Sequence, residues 1–551
     1  MFGPCSHRTT RSTPIVSPKL SPSDRYKEDS AVRPTPKSIT PNSMISVLVI
    51  VLLFVVVFLS RWREIGHREP FLPPGPPTKF LLGNAKDFPR LMSFVQLTRW
   101  AAEYGEIVSL KILNKNMIIL NTAPVVKAIL DKQGLLSGDR PQVYLIQRAE
   151  GVYPVFANLD SRLCRGSRKA YHTFLSSEAI ASYLPMQQRE YARLIHDIAH
   201  SPNDFIPHIK RMMSSILVSL LYGKSLSDFG DSKYLLYFDS ARKFAELADP
   251  FAHPPLDILP FLKLVPARWA KWKRLCEEVK QIRGDFFDEL YEDFETRYNA
   301  GERTGSFLEK ILDHPTHFDM TVEEIRGLTH VLMDGGVDTS AAFLQSFVLA
   351  LVCNPACQVK AQSEIDRVIG DNRMPTLRDF EDLPYLRALI KETHRFRTIL
   401  PGALPHYASK DIQHGEYLIP EGSILIMNTW GIFHDAKIFE SPDTFDPERY
   451  MKSEFGVKDG ASSDGLRDNL PFGTGRRICP GIEMAERTLA INTMNLVWGL
   501  SFADKTGQCS MDLNNYHCTS DLSPNPFTCE IKVRDAKRAR LIDETYTYMT
   551  A

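Results

Sequence analysis

One cysteine in this chain is surrounded by residues that could make it a ligand. Cys479 lies in the run Phe472-Gly473-Thr474-Gly475-Arg476-Arg477-Ile478-Cys479-Pro480-Gly481. The glycines let the backbone turn tightly and approach a flat partner that a Cβ would hold off. Pro480 suits the first turn of a helix, where a missing N–H costs nothing. A helix starting there and running through Met484, Leu489 and Leu496 aims its free amides and positive dipole end at the sulfur, which favours thiolate over thiol. A thiolate held this way is the axial ligand of a haem iron that splits dioxygen rather than carrying it, because sulfur pushes electron density toward the O–O bond. The rival reading, an inert buried cysteine after a turn, gives no reason for the ordered residues around it. A nucleotide-binding reading of Gly473 and Gly475 fails for want of the fingerprint's third glycine.

The pattern Phe-x-x-Gly-x-Arg-x-Cys-x-Gly, filled by Phe472, Gly475, Arg477, Cys479 and Gly481, resembles the haem-binding loop of the cytochrome P-450 superfamily of haem-thiolate monooxygenases. The resemblance implies haem b as cofactor, with Cys479 as the iron's axial ligand and the other four residues shaping the cofactor's seat. Upstream, Gly335-Gly336-Val337-Asp338-Thr339-Ser340 interrupts an apolar stretch at 325–351. Two glycines cost a helix roughly 1 kcal/mol each, and access for a porphyrin and dioxygen is the compensation. Thr339 can bond back to a carbonyl one turn earlier and loosen the helix. Its hydroxyl and the Asp338 carboxylate are the expected catalytic pair, delivering the protons that reduction of dioxygen consumes. The bland alternative is a flexible kink beside a solvated acid.

Glu392-Thr393-His394-Arg395 resembles the family's Glu-x-x-Arg pair. The spacing alone says little, since Glu190/Arg193, Glu323/Arg326 and Glu364/Arg367 repeat it as ordinary helical ion pairs. Only the Glu392 copy is followed by Pro447-Glu448-Arg449-Tyr450 and then the cysteine loop. By resemblance Glu392, Arg395 and Arg449 form a structural network behind the haem. His406, in Leu404-Pro405-His406, is an expected propionate contact, as are Arg168 and Arg477. One position departs from the family: where its helix carries Trp-Arg-x-x-Arg, this chain has Cys164-Arg165-Gly166-Ser167-Arg168, so an indole donor is missing.

The elements that must position these residues read as mostly α with small β-sheets. Segments 178–200, 208–222, 269–299 and 341–370 have helical apolar spacing, and 107–120 and 412–426 read as short strands with polar turns. The resemblance implies the cytochrome P-450 fold with a single N-terminal transmembrane helix. At 551 residues, 43% hydrophobic and 24% charged, the chain can bury a large core. Its 66 basic and 66 acidic residues balance and give no reason to expect nucleic acid. Nine cysteines, odd in number and irregular in spacing, form neither a disulfide framework nor a zinc site.

Four regions follow. Residues 1–43 are basic and Ser/Pro-rich and should be disordered; 44–62 form the membrane anchor; 63–77 form a proline-rich hinge; 78–551 form the haem-thiolate catalytic domain. The apolar run 45–59 would span about 23 Å as a helix, and Trp62 and flanking arginines extend its reach in the thinner endoplasmic reticulum bilayer. The competing cleaved signal peptide lacks a small-residue cleavage site. The basic excess before the anchor opposes the positive-inside tendency, which initiation at Met44 would resolve.

The expected reaction inserts one oxygen atom from dioxygen into a hydrophobic small molecule. No dinucleotide fingerprint is visible, so the resemblance implies electrons from NADPH through a separate flavoprotein reductase in the same endoplasmic reticulum membrane, with the catalytic domain on the cytosolic side. The stretches 397–406 and 475–489 are most similar to fungal members that tailor secondary metabolites of polyketide or aromatic type, including those that hydroxylate ring methyls of small phenolic polyketides. Residues 143–156, Val331 and 399–404 are expected to face the pocket, and their mostly apolar character points to a greasy substrate. The alternatives are a haem-thiolate isomerase or dehydratase, which commonly lacks the threonine kept here as Thr339, a detoxifying hydroxylase of xenobiotics, and a haem sensor without a proton relay.

Overall fold

The computed structural model describes residues 65–226, 231–249, 252–505, 507, 509–519 and 521–550, together with 49, 52 and 53. Two compact units divide the chain, Met1–Ser60 and Arg61–Ala551. In the first, Val49, Leu52 and Leu53 are helical and exposed; the expected tail at 1–43 and the rest of the expected anchor lie outside the described residues.

The second unit is mostly helical with small sheets. The helices that matter for the site are α1 Tyr144–Glu150, α2 Arg162–Phe174, α3 Leu184–His200, α4 Phe205–Tyr222, α5 Asp231–Ala248, α6 Lys271–Asn299, α7 Val322–Gly336, α8 Asp338–Cys353, α9 Pro384–Phe396, α10 Ile482–Gly499 and α11 Ala536–Thr550. The capping box that starts α7 is complete: Thr321 Oγ1 accepts from the Glu324 amide at 3.2 Å, and Glu324 Oε2 accepts from the Thr321 amide at 2.8 Å. Only Val337 separates α7 from α8. Residues 340–352 of α8 are buried on every side, as expected for a helix apolar all round. This is why the run Val322–Cys353, long and apolar enough in composition to cross a membrane, is the core of the globular unit, packed against α4, α9 and α10.

Two expected helical segments are broken in the structure, each by a proline. The segment 341–370 becomes α8 and a separate helix Pro355–Val368, because Asn354 before Pro355 leaves the helical region. The segment 178–200 becomes Ser177–Ser182 and α3, with Pro185 in the first turn of the second helix. Both expected strand regions form. Strands β1 Ile107–Ile112 and β2 Lys115–Leu120 make a hairpin, β2 runs parallel to β6 Ile424–Met427, and β3 His406–Tyr407 pairs antiparallel with β6, in the order β1-β2-β6-β3. The strands between them, β4 Ile412–His414 and β5 Tyr417–Ile419, form their own pair. The sheet places His406 opposite Leu425.

The proline-rich stretch is not free of this body. Pro73 and Pro74 offer their carbonyls to the Ser109 hydroxyl at 2.5 Å and amide at 2.8 Å, and Arg68 donates to the carbonyls of Gly75 at 2.9 Å and Pro76 at 2.6 Å. From Leu72 onward the segment is therefore an edge of the β1 side of the sheet.

Candidate active site

The cysteine loop is held by its backbone and by one buried threonine. Gly475 has φ +58°, and a Cβ there would overlap the carbonyl of Leu130, so both its conformation and its packing demand glycine. Thr474, buried beside it, bonds Asp131 and Arg467, and Arg467 reaches Asp131 at 2.8 Å. The Cys479 amide donates to the Phe472 carbonyl at 2.9 Å, closing the loop, and the Gly481 amide donates to Cys479 Sγ at 3.4 Å. Gly481 is the N-cap of α10, so Pro480 lies just before the helix rather than in its first turn, and the amide at the sulfur is that of the capping residue.

The loop alone does not make the thiolate. Burial pushes the Cys479 thiol up, and the Gly481 amide pulls back only part of that rise. The expected preference for thiolate from the helix end is thus outweighed by desolvation, since one neutral donor replaces the water around a sulfur anion. A coordinated metal cation reverses this balance and deprotonates the thiol outright.

The central helix pair opens toward this loop. Between two buried stretches, only Met333 and Val337 of residues 330–339 are buried, and Gly335 is exposed, with nothing within 4 Å of a Cβ built there. The helix is unpacked at this point. Thr339 Oγ donates to the Gly335 carbonyl at 2.7 Å, as the spacing predicts. Phe343, one turn beyond Thr339 on the same face, packs on His394 at 4.3 Å between ring centres, and His394 packs on Phe472 at 5.4 Å. The Thr339 face is therefore tied to the cysteine loop through one histidine. Burial, with Asp521 and Asp334 nearby, pushes the Asp338 carboxyl up to about 7.

Positive groups collect at the other rim of the loop. Arg477 donates to the carbonyls of Gly138, at 2.6 Å, and Ala157, and lies close to Cys164 and Arg168. Arg168 is on the exposed side of α2, and Cys164 is buried at the position where the family carries tryptophan. His406 is buried, with Nδ1 3.0 Å from the Ser137 carbonyl; burial and the neighbouring Arg140 push its pKa down to about 3. Arg140, which sequence reasoning missed, donates from one nitrogen to the carbonyls of Leu404 at 2.6 Å and Pro405 at 2.7 Å, while its buried Nε has no partner. Burial and Arg477 draw the Arg140 pKa down to about 9. Mutually repelling arginines with an orphaned donor fit an anionic occupant. A haem fits on all counts: a sulfur ligand, a glycine-lined opening, and a cationic rim for its carboxylates.

Behind the loop, Glu392 and Arg395 are fully buried and Arg449 nearly so. Arg395 donates from Nε to Glu392 Oε2 at 2.7 Å and from Nη2 to Oε1 at 2.8 Å, and Arg449 Nε donates to Oε2 at 3.1 Å. The guanidinium groups also hold the carbonyls of Phe433, Glu440, Pro442 and Thr444. All three residues are out of solvent and bind backbone, the arrangement of a brace.

The stretch 143–156, expected to be mostly apolar, takes part in a polar network. Within the stretch expected to be apolar, Glu150 and Tyr153 join Arg283 of α6 and His330 and Asp334 of α7 in one buried network. Arg283 bonds Glu150 through Nε and Asp334 through both Nη atoms, at 3.1 and 2.8 Å. Tyr153 donates to Asp334 at 2.7 Å, and His330 Nδ1 lies 2.8 Å from Glu150. Although burial pushes it up, Arg283 and His330 pull the Glu150 carboxyl down to about 2. No local signal marks Arg283, a basic residue on a long charged helix, as buried.

Comparison with known proteins agrees with this geometry. A profile for cytochrome P-450 matches residues 73–516. The chain is 37% identical over 503 residues to the cytochrome P-450 monooxygenase ple5B of Rhodocybe pseudopiperita, covering 89% of this chain and 95% of that one. It is 31% identical over 514 residues to the cytochrome P-450 monooxygenase atE of Aspergillus terreus, covering 91% and 95%. It is also 31% identical over 503 residues to the cytochrome P-450 monooxygenase patI of Penicillium expansum, covering 89% and 93%.

Proposed function

The chain belongs to the cytochrome P-450 family of haem monooxygenases, and from that premise we propose that it is a membrane-anchored tailoring enzyme of fungal secondary metabolism. It inserts one oxygen atom of dioxygen into a largely hydrophobic small molecule, using electrons from NADPH through a separate flavoprotein reductase. Cys479 would hold the haem iron, Arg140, Arg168, His406 and Arg477 its propionates, and the bound haem supplies the oxygen activation.

The observation that carries this reading is the Thr339–Gly335 hydrogen bond at an open point of the core helix, linked through Phe343 and His394 to the cysteine loop. The bond uses the Thr339 hydroxyl proton and leaves its oxygen free to accept a hydrogen bond, and Asp338, the preceding residue, with a pKa of about 7, can take up and release protons at working pH. A haem-thiolate isomerase or sensor has no use for this pair.

Two features support the membrane location on the cytosolic face of the endoplasmic reticulum. One is the apolar run at 45–59 with Arg61, Trp62 and Arg63 after it. The other is the connection between α5 and α6, where Phe261, Leu264 and Trp269 are 62%, 83% and 70% exposed among Lys263, Arg268 and Lys271. Apolar side chains fringed by cations suit an anionic lipid surface. The fungal relatives and the similarity of residues 397–406 and 475–489 to tailoring members support the place in metabolism.

The test is expression in a microsomal host with a reductase. The carbon monoxide complex of the reduced protein should show the red-displaced Soret band of a thiolate-ligated haem, and product formation should require NADPH, reductase and dioxygen, with one labelled oxygen atom from labelled dioxygen in the product. Product formed without reductase would overturn the reading in favour of an isomerase.

A further inference from the structure

Outside the haem site, two histidines one turn apart on α3 face a carboxylate of α11. His196 and His200, the last residue of α3, are spaced i and i+4 and so lie on one side of the helix. Asp543 comes from α11, which packs along α3. His196 Nε2 lies 3.8 Å and His200 Nε2 3.5 Å from the same atom, Asp543 Oδ1. Both spacings are longer than a good N–H···O bond of about 2.7–3.2 Å. They lie closer to the edge of a tetrahedron, about 3.4 Å, whose corners are ligands bound to zinc at about 2.0–2.2 Å. All three ligand atoms are within 4.8 Å of one another, and His200, with its side chain 56% exposed, is free to swing the remaining edge closed.

The rings are already aimed. His196 stacks on His200 at 4.2 Å between ring centres, and on Tyr546 of α11 at 3.9 Å and 15°. His200 Nδ1 lies 2.9 Å from the His196 carbonyl, which can only accept, so that nitrogen donates and Nε2 is left for an outside partner. His196 Nδ1 faces Asp197 Oδ1 at 3.5 Å, and Asp197 is itself held by Arg211 at 3.0 Å. A carbonyl and a carboxylate behind two imidazoles are the supports that orient metal-bound histidines. Asp543 has no lysine or arginine partner among the described ion pairs, and its carboxylate faces the two rings.

We propose that His196, His200 and Asp543 bind a divalent transition-metal ion, zinc above all, and that this ion staples α11 to α3. Imidazole and carboxylate together suit zinc and its neighbours, whereas magnesium and calcium need more oxygen than one carboxylate gives. The ion takes the two nitrogen lone pairs in place of protons. Water fills its fourth position, because the site is at the surface. The consequence is mechanical. On its other side α3 bonds α10, with the Tyr191 hydroxyl 3.2 Å from Thr488 Oγ1, so the ion fixes α11 onto a helix that backs the one following the cysteine loop. No step of turnover uses the ion, and the inference is independent of the monooxygenase reading.

The test is a calorimetric titration of the haem-loaded full chain, first dialysed against a chelator, with zinc chloride. His200→Ala and Asp543→Asn change exposed side chains and keep the stack of His196 on Tyr546. Each should weaken zinc binding at least about tenfold, since loss of even a group supporting a ligand costs about 10–100-fold. Amide exchange over 536–550 gives the second readout. With zinc at about ten times its dissociation constant, exchange there should slow about tenfold in the unmodified protein, the mass-action factor for an ion bound only by the docked helix. At the same zinc concentration His200→Ala should exchange at its own zinc-free rate. The proposal is overturned by a dissociation constant weaker than about 100 μM, by unchanged affinity in both variants, which means an adventitious ion only, or by binding that leaves exchange in α11 as it was.

Discussion

Replacing Glu392 with glutamine changes one oxygen to an NH2 group and leaves the side chain's size unchanged, so its cost isolates the electrostatics of the brace. Each carboxylate oxygen accepts two bonds. Oε1 takes Arg395 Nη2 and the Asp446 amide, both at 2.8 Å; Oε2 takes Arg395 Nε at 2.7 Å and Arg449 Nε at 3.1 Å. Whichever way the amide is turned, its NH2 points at two N–H donors, so two bonds are lost and two guanidinium groups remain buried without a counterion. Removing one partner of a buried pair costs about 3–5 kcal/mol. The carbonyls of Phe433, Pro442 and Thr444 still hold the arginines, which argues for the lower half of that range.

The assay is urea unfolding of the haem-loaded protein, followed by the Soret band and by far-ultraviolet circular dichroism. The expected result for Glu392→Gln is a loss of about 3 kcal/mol or more, with haem released at lower urea than the helices melt. Residues 442–449 precede the cysteine loop, and loss of the brace frees them first. A loss below about 1 kcal/mol, with haem retention unchanged, would refute the argument that this network supports the loop.

Four other outcomes follow from named contacts. Thr339→Ala removes the hydroxyl on Gly335 and should uncouple turnover, with NADPH consumed and hydrogen peroxide released; tight coupling would rule out a proton role. Asp338, with a pKa of about 7, is protonated below that value. Proton-limited turnover should therefore hold below pH 7 and fall about tenfold per unit above it, and Asp338→Asn should be slower with a flat profile. Gly475→Ala combines φ +58° with overlap on the Leu130 carbonyl and should cost at least about 2 kcal/mol and lower haem content, read as the ratio of Soret to protein absorbance. Burial draws the His394 pKa down to about 4, below its unfolded value. Its contribution to stability is present above pH 6.5 and is lost on acidification toward 4, at about 1.4 kcal/mol per unit. His394→Leu should remove about 2 kcal/mol of the difference in urea stability between pH 7 and pH 5.

Much of the site was legible because local spacing carries local chemistry. The glycines around Cys479 and the paired glycines before Thr339 act within one or two turns, and the structure shows the loop closure and the Thr339–Gly335 bond they imply, with a helix that starts at Ile482, two residues past the expected proline. Helical and strand periods likewise located α4, α6, β1 and β2, while prolines 185 and 355 divided helices that periodicity alone had joined. Of four identical Glu-x-x-Arg spacings, only order along the chain singled out Glu392. Its fourfold coordination depends on Arg449 and Asp446, more than fifty residues away.

What the sequence by itself determined is the family and a candidate centre, because a cysteine that could serve as ligand, a turn that presents it and a loosened helix are each written in a few consecutive residues. Tertiary structure decided the electrostatics. Burial raises the Cys479 thiol, buries an arginine of a charged helix between two carboxylates, and brings Arg140, Arg168 and Arg477 to one rim from three distant segments. Charge interactions act through space and strengthen as water is excluded, so the polarity of this region is set by which residues the fold packs together.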